Sequence, residues 1–273
     1  MDVFVTTYFN HLRLKDISSD EKTKVVRELL QKDFKDIFQH IGNEEKESFY
    51  NITLLPDEIP NHSLFEDEDE IQTIIRDTVM VCYDELSRIG DLHVIVTPTF
   101  YSGYIQEMDG VMGFAPRSGN VIFITINTSL PDWRHTLQST VAHEYHHTVI
   151  HENHDWDTFQ DILVYEGLAE HFRNEVIGGA PSKWTVLNKT EREKLIQCWH
   201  YFENRLEKSA FEENSGYYEY FIGEDNDVPY QLGYSLGYII VDDFLKESGH
   251  DIITATHTDP HIIIDWWNTY KNS

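Results

Sequence analysis

The sequence predicts an α+β fold, a small mixed sheet with helices in the first half and a helical second half. Three observations carry this. Short apolar runs bounded by turn residues fall before residue 130, at "DVFVTTY", "DLHVIVTP" and "NVIFITIN". After Pro131, apolar residues recur at helical spacing in one segment after another. A hydrophobic fraction of 40%, with no repeat or low-complexity tract, is enough for a buried core. The expected organisation is an N-terminal α/β lobe over residues 1–130 and a helical lobe over 131–273, packed as one unit with a cleft between them.

In chain order, residues 2–8 suit a first strand. The stretch "SSDEKTKVVRELLQKDFKDIFQHIG" sets Val26, Leu30, Phe34, Ile37 and Ile41 on one helical face. Ser18 and Glu21 form a capping box for it, and Gly42 ends it. "NITLLP" reads as a short strand. The acidic run "EDEDE", residues 66–70, opens a helix whose apolar face continues through Ile71, Ile75, Cys82, Leu86 and Ile89 to Gly90. Carboxylates in a first turn complement the helix dipole, so the run is read as a helix start and not as an ion site. Strands over 91–98 and 120–127 follow, separated by the glycine-rich and irregular "YSGYIQEMDGVMGFAPRSG". Helices are expected at roughly 133–151, 159–177, 189–208, 229–247 and 260–270.

The formal net charge of −27 argues against nucleic acid or an anionic membrane as partner, since both are polyanions. The opening "MDVFVTTYFNHLRLKD" lacks a basic region followed by an apolar one, and nowhere do eighteen apolar residues run together. Cys82 and Cys198 lie in apolar helical patterns and read as buried thiols. The expectation is a cytoplasmic protein, in which the sequons at Asn51, Asn127 and Asn188 carry no meaning.

Five of the fifteen histidines fall within "TVAHEYHHTVIHENHDW", residues 140–156. His143, Glu144 and His147 make H-E-x-x-H, a spacing that has meaning only on a helix, where i and i+4 stand one above the other. Two neutral imidazoles then supply half of a tetrahedral zinc shell, and the glutamate beside them can take a proton from the metal's water. The helix condition is met: Asp132 is a reasonable N-cap, no breaker follows, and Leu137, Val141, Tyr145 and Val149 form a stripe to bury. His146 projects away from His147, and His151 and His154 lie at or past the helix end, so these three read as structural.

A third ligand decides the matter. The metzincin spacing fails, because Ile150 and Asn153 occupy its glycine and histidine positions, and the inverted motif is absent. A glutamate from a following helix is available: eighteen residues separate His147 from Glu166 in "VYEGLAEHF". Glu166 and Glu170 again share a face, so one can ligate zinc while the other hydrogen-bonds a ligand histidine. Gly167 would let this helix approach closely.

H-E-x-x-H, eighteen residues, then E-G-x-A-E resembles the gluzincin metallopeptidases, with the interval of aminopeptidase N-like enzymes. More closely, "VAHEYHH", "YEGLAEHF" and the later "GYSLGY" resemble a bacterial family of predicted zinc-dependent proteases known from Bacillus-type genomes. The resemblance implies a zincin-like fold with His143, His147 and Glu166 as zinc ligands, Glu144 as catalytic base and Glu170 supporting a ligand. In "VPYQLGYSLGYIIVDDF", Pro229 is expected to open a helix with Gly233 and Gly237 on a close-packing face. Tyr234 and Tyr238 lie beside that face, and either hydroxyl can serve the oxyanion; the resemblance points to Tyr234.

Gluzincins bind substrate along an edge strand, which the resemblance places at Gly113, Phe114 and Ala115. One departure matters. Aminopeptidase N-like enzymes carry G-x-M-E-N, whose glutamate holds the substrate's amino terminus, whereas "GVMGFAP" has Gly113 at that position. The expected function is therefore a zinc-dependent endopeptidase with one Zn2+ per chain, acting on peptides or unfolded segments. The alternatives are an aminopeptidase on the same site and a catalytically inactive, zinc-stabilised binding or regulatory protein.

Overall fold

Four strands form one sheet in the order β1-β2-β4-β3: β1 (Val3–Thr7), β2 (Leu92–Pro98), β3 (Val111–Phe114) and β4 (Val121–Ile126). The structure, a computed structural model, describes residues 1–7, 24, 28, 31, 32, 35, 67–98, 108–117, 119–154, 157–179, 182, 189–212, 215–222 and 228–271. The helix expected over 18–41 is seen at Lys24, Glu28, Gln31, Lys32 and Lys35, all helical and exposed. The rest of that helix and the strand "NITLLP" lie outside the described residues. The chain divides into two units, Met1–Glu152 and Asn153–Ser273.

In the first unit, β1 runs parallel to β2 and β2 parallel to β4, while β3 is antiparallel to β4 at the edge. Parallel strands need crossovers that cover the sheet, so central strands read as continuous apolar runs and not as alternation. That is the pattern of β4, "VIFITI", in which every residue is buried. Helix α1 (Glu68–Glu85) lies between β1 and β2 in sequence and packs on β1. Its first turn carries Glu68, Asp69 and Glu70, as the dipole favours. It ends earlier than its apolar periodicity suggests: Leu86 is already extended, and Ile89, expected on the buried face, is 82% exposed. The glycine-rich stretch before β4, read as irregular, contains β3.

Helix α2 (Trp133–Asn153) carries the H-E-x-x-H residues. Every residue from Ser139 to Ile150 is buried, where the sequence shows only a stripe. A helix apolar on one side but enclosed all round buries polar groups, which cost free energy unless they have partners. Partners come from near and far in the chain. The Tyr145 hydroxyl donates to the Leu86 carbonyl at 2.7 Å, and the Thr148 hydroxyl donates to the Tyr145 carbonyl at 2.7 Å.

The second unit is helical: α3 (Phe159–Ile177), α4 (Lys189–Gln197), α5 (His200–Glu203), a π-helical turn (Tyr218–Ile222), α6 (Leu232–Ser248), α7 (Ile252–Thr256) and α8 (Pro260–Tyr270). Helix α3 is central, contacted by α6, α7 and α8. Thr158 and Asp161 close its start with a capping box, and Gly178 ends it at φ 77°. The helix expected over 189–208 is instead two shorter ones, α4 and α5. Cys198 falls between them and is half-buried, less enclosed than its apolar surroundings suggested, whereas Cys82 is buried and its thiol pushed up to about 12 by desolvation.

Pro229 does not open α6. It sits in a turn whose carbonyl accepts from Leu232 N–H at 3.1 Å, and Gln231 caps the helix from the left-handed region. Gly233, Gly237 and Gly167 do mark close packing. A Cβ on Gly167 would fall on the Gly237 carbonyl, and one on Gly237 would fall on the Leu163 carbonyl. Gly167 thus admits α6. Gly233 is covered by the Phe221 ring. Phe159, Phe202, Tyr220 and Phe221 form an aromatic cluster at centroid separations between 5.5 and 6.4 Å. No helix among the described residues is long and apolar enough to cross a membrane.

Candidate metal centre

His143 and His147 stand one turn apart on α2, as i, i+4 geometry requires, with ring planes at 84° and Nε2 atoms 3.1 Å apart. Two nitrogens bound to one tetrahedral zinc at about 2.0–2.1 Å stand roughly 3.3–3.4 Å apart. The convergent Nε2 pair is therefore close to the separation a shared ion demands, and its donors are of the type zinc takes. Both histidines are buried, as is Glu144.

Glu144 has an intimate neighbour in the sheet. Strand β3 passes so close to α2 that a Cβ on Gly113 would overlap Glu144 Cγ, lie 2.7 Å from Thr140 Cγ2 and reach 2.8 Å from Glu144 Oε1. The absent side chain at 113 is what lets the edge strand lie on the glutamate. Along β3 the main-chain groups alternate. Asn127 N–H donates to the Gly110 carbonyl at 2.7 Å, next in register beyond Val111↔Ile126. In an antiparallel ladder this turns Met112 and Phe114 toward β4 and Val111 and Gly113 away from it, where Val111 N–H donates to the Met108 carbonyl at 3.4 Å. The N–H and carbonyl of Phe114 are thus engaged with β4.

The C-terminal turn of α2 is tied to the segment that joins β3 to β4. His151 Nε2 lies 3.3 Å from the Ala115 carbonyl. Since a carbonyl only accepts, Nε2 carries the proton, and burial, the largest cause, holds the imidazole neutral by pulling its pKa down to about 3. Beside it, Arg88 donates to the Gly119 carbonyl at 2.6 Å and pairs with Glu152 at 2.9 Å. Sequence reasoning set His151 aside and missed Arg88 and Glu152, whose roles depend on partners 31 to 64 positions away in the chain.

In the second unit, Glu166 lies half-buried on α3, and Glu170 one turn on is wholly buried. Glu170 Oε1 accepts from Arg173 Nη2, from Ser182 N–H at 2.7 Å and from the Ser182 hydroxyl at 2.5 Å. A buried guanidinium and two further donors offset the cost of burying this carboxylate. Arg173 and Ser182 were not anticipated, since no local pattern marks them. The two tyrosines of α6 differ. Tyr238 stacks on His171 at 4.3 Å and 9°, with its hydroxyl pushed up to about 12 by burial. Tyr234 is half-buried and meets the Phe221 ring edge-on at 5.5 Å.

The chain combines a mixed sheet and a buried H-E-x-x-H helix with a helical C-terminal half. Over residues 71–265 it matches the family described as predicted Zn-dependent protease (DUF2268), and it belongs to that family. Among curated proteins it is similar to the uncharacterized protein YjfC of Bacillus subtilis (strain 168), with 30% identity over 176 residues. That similarity covers 59% of this chain and 56% of the relative, so the chain spans little more than half of the relative's length. No solved structure matches.

Proposed function

We propose that the protein is a zinc-dependent endopeptidase in which His143, His147 and Glu166 hold one Zn2+ per chain. The convergent Nε2 pair on α2 carries the reading. Glu166 follows His147 after eighteen residues, the interval of the resembled metallopeptidases, and the family's description names zinc. Glu170, held by Arg173 and Ser182, would support a ligand histidine.

When bound, the ion would act as a Lewis acid, polarising the scissile carbonyl and easing deprotonation of water toward pH 7. The chain's own residues supply the proton handling. Glu144 takes the proton of the attacking water and returns it to the leaving nitrogen. Tyr234 donates to the oxyanion. The side of β3 turned away from β4 takes the substrate as an added strand at Gly113, which brings the strand against Glu144.

The same contact favours internal cleavage over aminopeptidase action. In aminopeptidase N-like enzymes a glutamate at the position of Gly113 holds the substrate's amino terminus, and here any side chain at 113 would strike the base. The test is elemental analysis of purified protein, followed by digestion of peptide mixtures with free and with blocked N-termini. About one zinc per chain and cleavage of blocked peptides are expected, with Glu144→Gln retaining zinc and losing about 10²- to 10⁴-fold in turnover. Persistent absence of zinc, or wild-type turnover in Glu144→Gln, would overturn the reading.

A further inference from the structure

Tyr234, the oxyanion donor of the proposed mechanism, lies in the first turn of α6. Gln231 caps that turn from the left-handed region, and its side chain makes no capping hydrogen bond. A helix end without such a cap frays more readily. Packing supplies what the cap does not: the Phe221 ring covers Gly233 and meets the Tyr234 ring edge-on at 5.5 Å and 86°. We propose that Phe221 is a positioning residue that holds the Tyr234 ring, and with it the donor hydroxyl, in one orientation. This rests on the peptidase reading above.

Phe221 can anchor its neighbour because it is itself fixed. It is wholly buried. Its ring lies near-parallel to Tyr217 at 5.0 Å and 19°, and to Phe159 of α3 at 6.4 Å and 26°. It meets Phe202 of α5 edge-on at 6.1 Å and 81°. A ring packed among several others, at the density of a protein interior, is confined to one rotamer. The π-helical turn Tyr218–Ile222 presents it, and such turns are rare and frequently lie at functional sites.

Gly233 makes room for the contact. A Cβ there would lie 2.6 Å from both Cδ1 and Cε1 of Phe221. Gly233 has no positive φ, so its missing side chain serves the ring and not the backbone. Tyr238, one turn on, has separate support in His171, on which it stacks at 4.3 Å. The consequence for chemistry is specific. A phenol free to change rotamer puts its O–H at the developing oxyanion only part of the time. Because that charge forms in the transition state, the loss falls on kcat and leaves KM nearly unchanged.

The test is a double-mutant cycle on a blocked peptide: wild type, Phe221→Leu, Tyr234→Phe and the double variant, with zinc content and melting temperature alongside the kinetics. Tyr234→Phe keeps the ring and removes the hydroxyl, and about a 10²- to 10³-fold loss in kcat is expected. Phe221→Leu should lower kcat about three- to tenfold, the worth of an edge-on aromatic contact, while KM changes less than about twofold. In the Tyr234→Phe background the same change should lower kcat less than about twofold, since no hydroxyl is left to aim. Gly233→Ala presses on the ring from the helix side and leaves Phe221 in place. It should show the same dependence on the Tyr234 hydroxyl, and it decides the matter if Phe221→Leu fails to fold. Equal losses in both backgrounds overturn the proposal and make Phe221 a structural residue. An unchanged kcat in Phe221→Leu and Gly233→Ala overturns it as well. Wild-type kcat in Tyr234→Phe removes the donor and this proposal, and leaves zinc and Glu144 standing. If wild type cuts no peptide while binding zinc, the peptidase reading itself fails and this proposal with it.

Discussion

Gly113 of β3 lies against Glu144 of α2 so closely that the strand and the carboxylate leave no room for a methyl group between them. A substitution here therefore acts on the proposed base and not on the ligands. Gly113→Ala is expected to keep about one zinc per chain and to lose at least about tenfold in kcat, up to the roughly 10²- to 10⁴-fold that a general base contributes. Kinetics with elemental analysis check it. Full turnover in the variant would mean that Glu144 or Thr140 yields without consequence.

Gly167 and Gly237 bring α3 and α6 into backbone contact. The methyl of Gly237→Ala would meet the Leu163 carbonyl, which cannot rotate away as a side chain could. Overpacking of this kind costs about 1–3 kcal/mol, partly offset by the better helix propensity of alanine, at about 1 kcal/mol. A net loss of up to about 2 kcal/mol in urea denaturation is expected. A stabilised variant would show that the helices separate easily.

Acid should act partly through His151. Its folded-state pKa of about 3 lies below the 6.5 of a free imidazole, so below pH 6.5 the unfolded chain binds a proton that the folded chain refuses. Stability from this group is intact above pH 6.5 and declines as pH falls toward 3. Between pH 7 and pH 5 the loss is on the order of 2 kcal/mol. His151→Gln removes that share, so its urea midpoint should fall less than that of wild type over this interval. Equal falls would show that His151 titrates normally.

The cysteines should differ in reactivity. Cys82 is buried and pushed up to about 12, whereas Cys198 is half-buried. At pH 8 one thiol per native chain should react with a thiol reagent within minutes, and Cys198→Ser should abolish that labelling. Rapid labelling that survives in Cys198→Ser would mean that α1 opens to expose Cys82.

By itself the sequence determined the class of fold, the boundaries of α3 and α8, and the identity of the H-E-x-x-H pair. Each depends on short-range periodicity or on an i, i+4 spacing that any helix converts into a shared face. What it could not decide lies in contacts between distant segments. The burial of α2 on every side, the touch of Gly113 on Glu144, the grip of His151 on Ala115 and the Arg173–Ser182 hold on Glu170 leave no periodic mark. The early end of α1 and the left-handed cap of α6 belong with them, since helix ends are settled by what the last free groups meet in space. A pattern repeating every 3.6 or two residues shows which way a side chain faces, whereas only the packed chain decides what stands there to receive it.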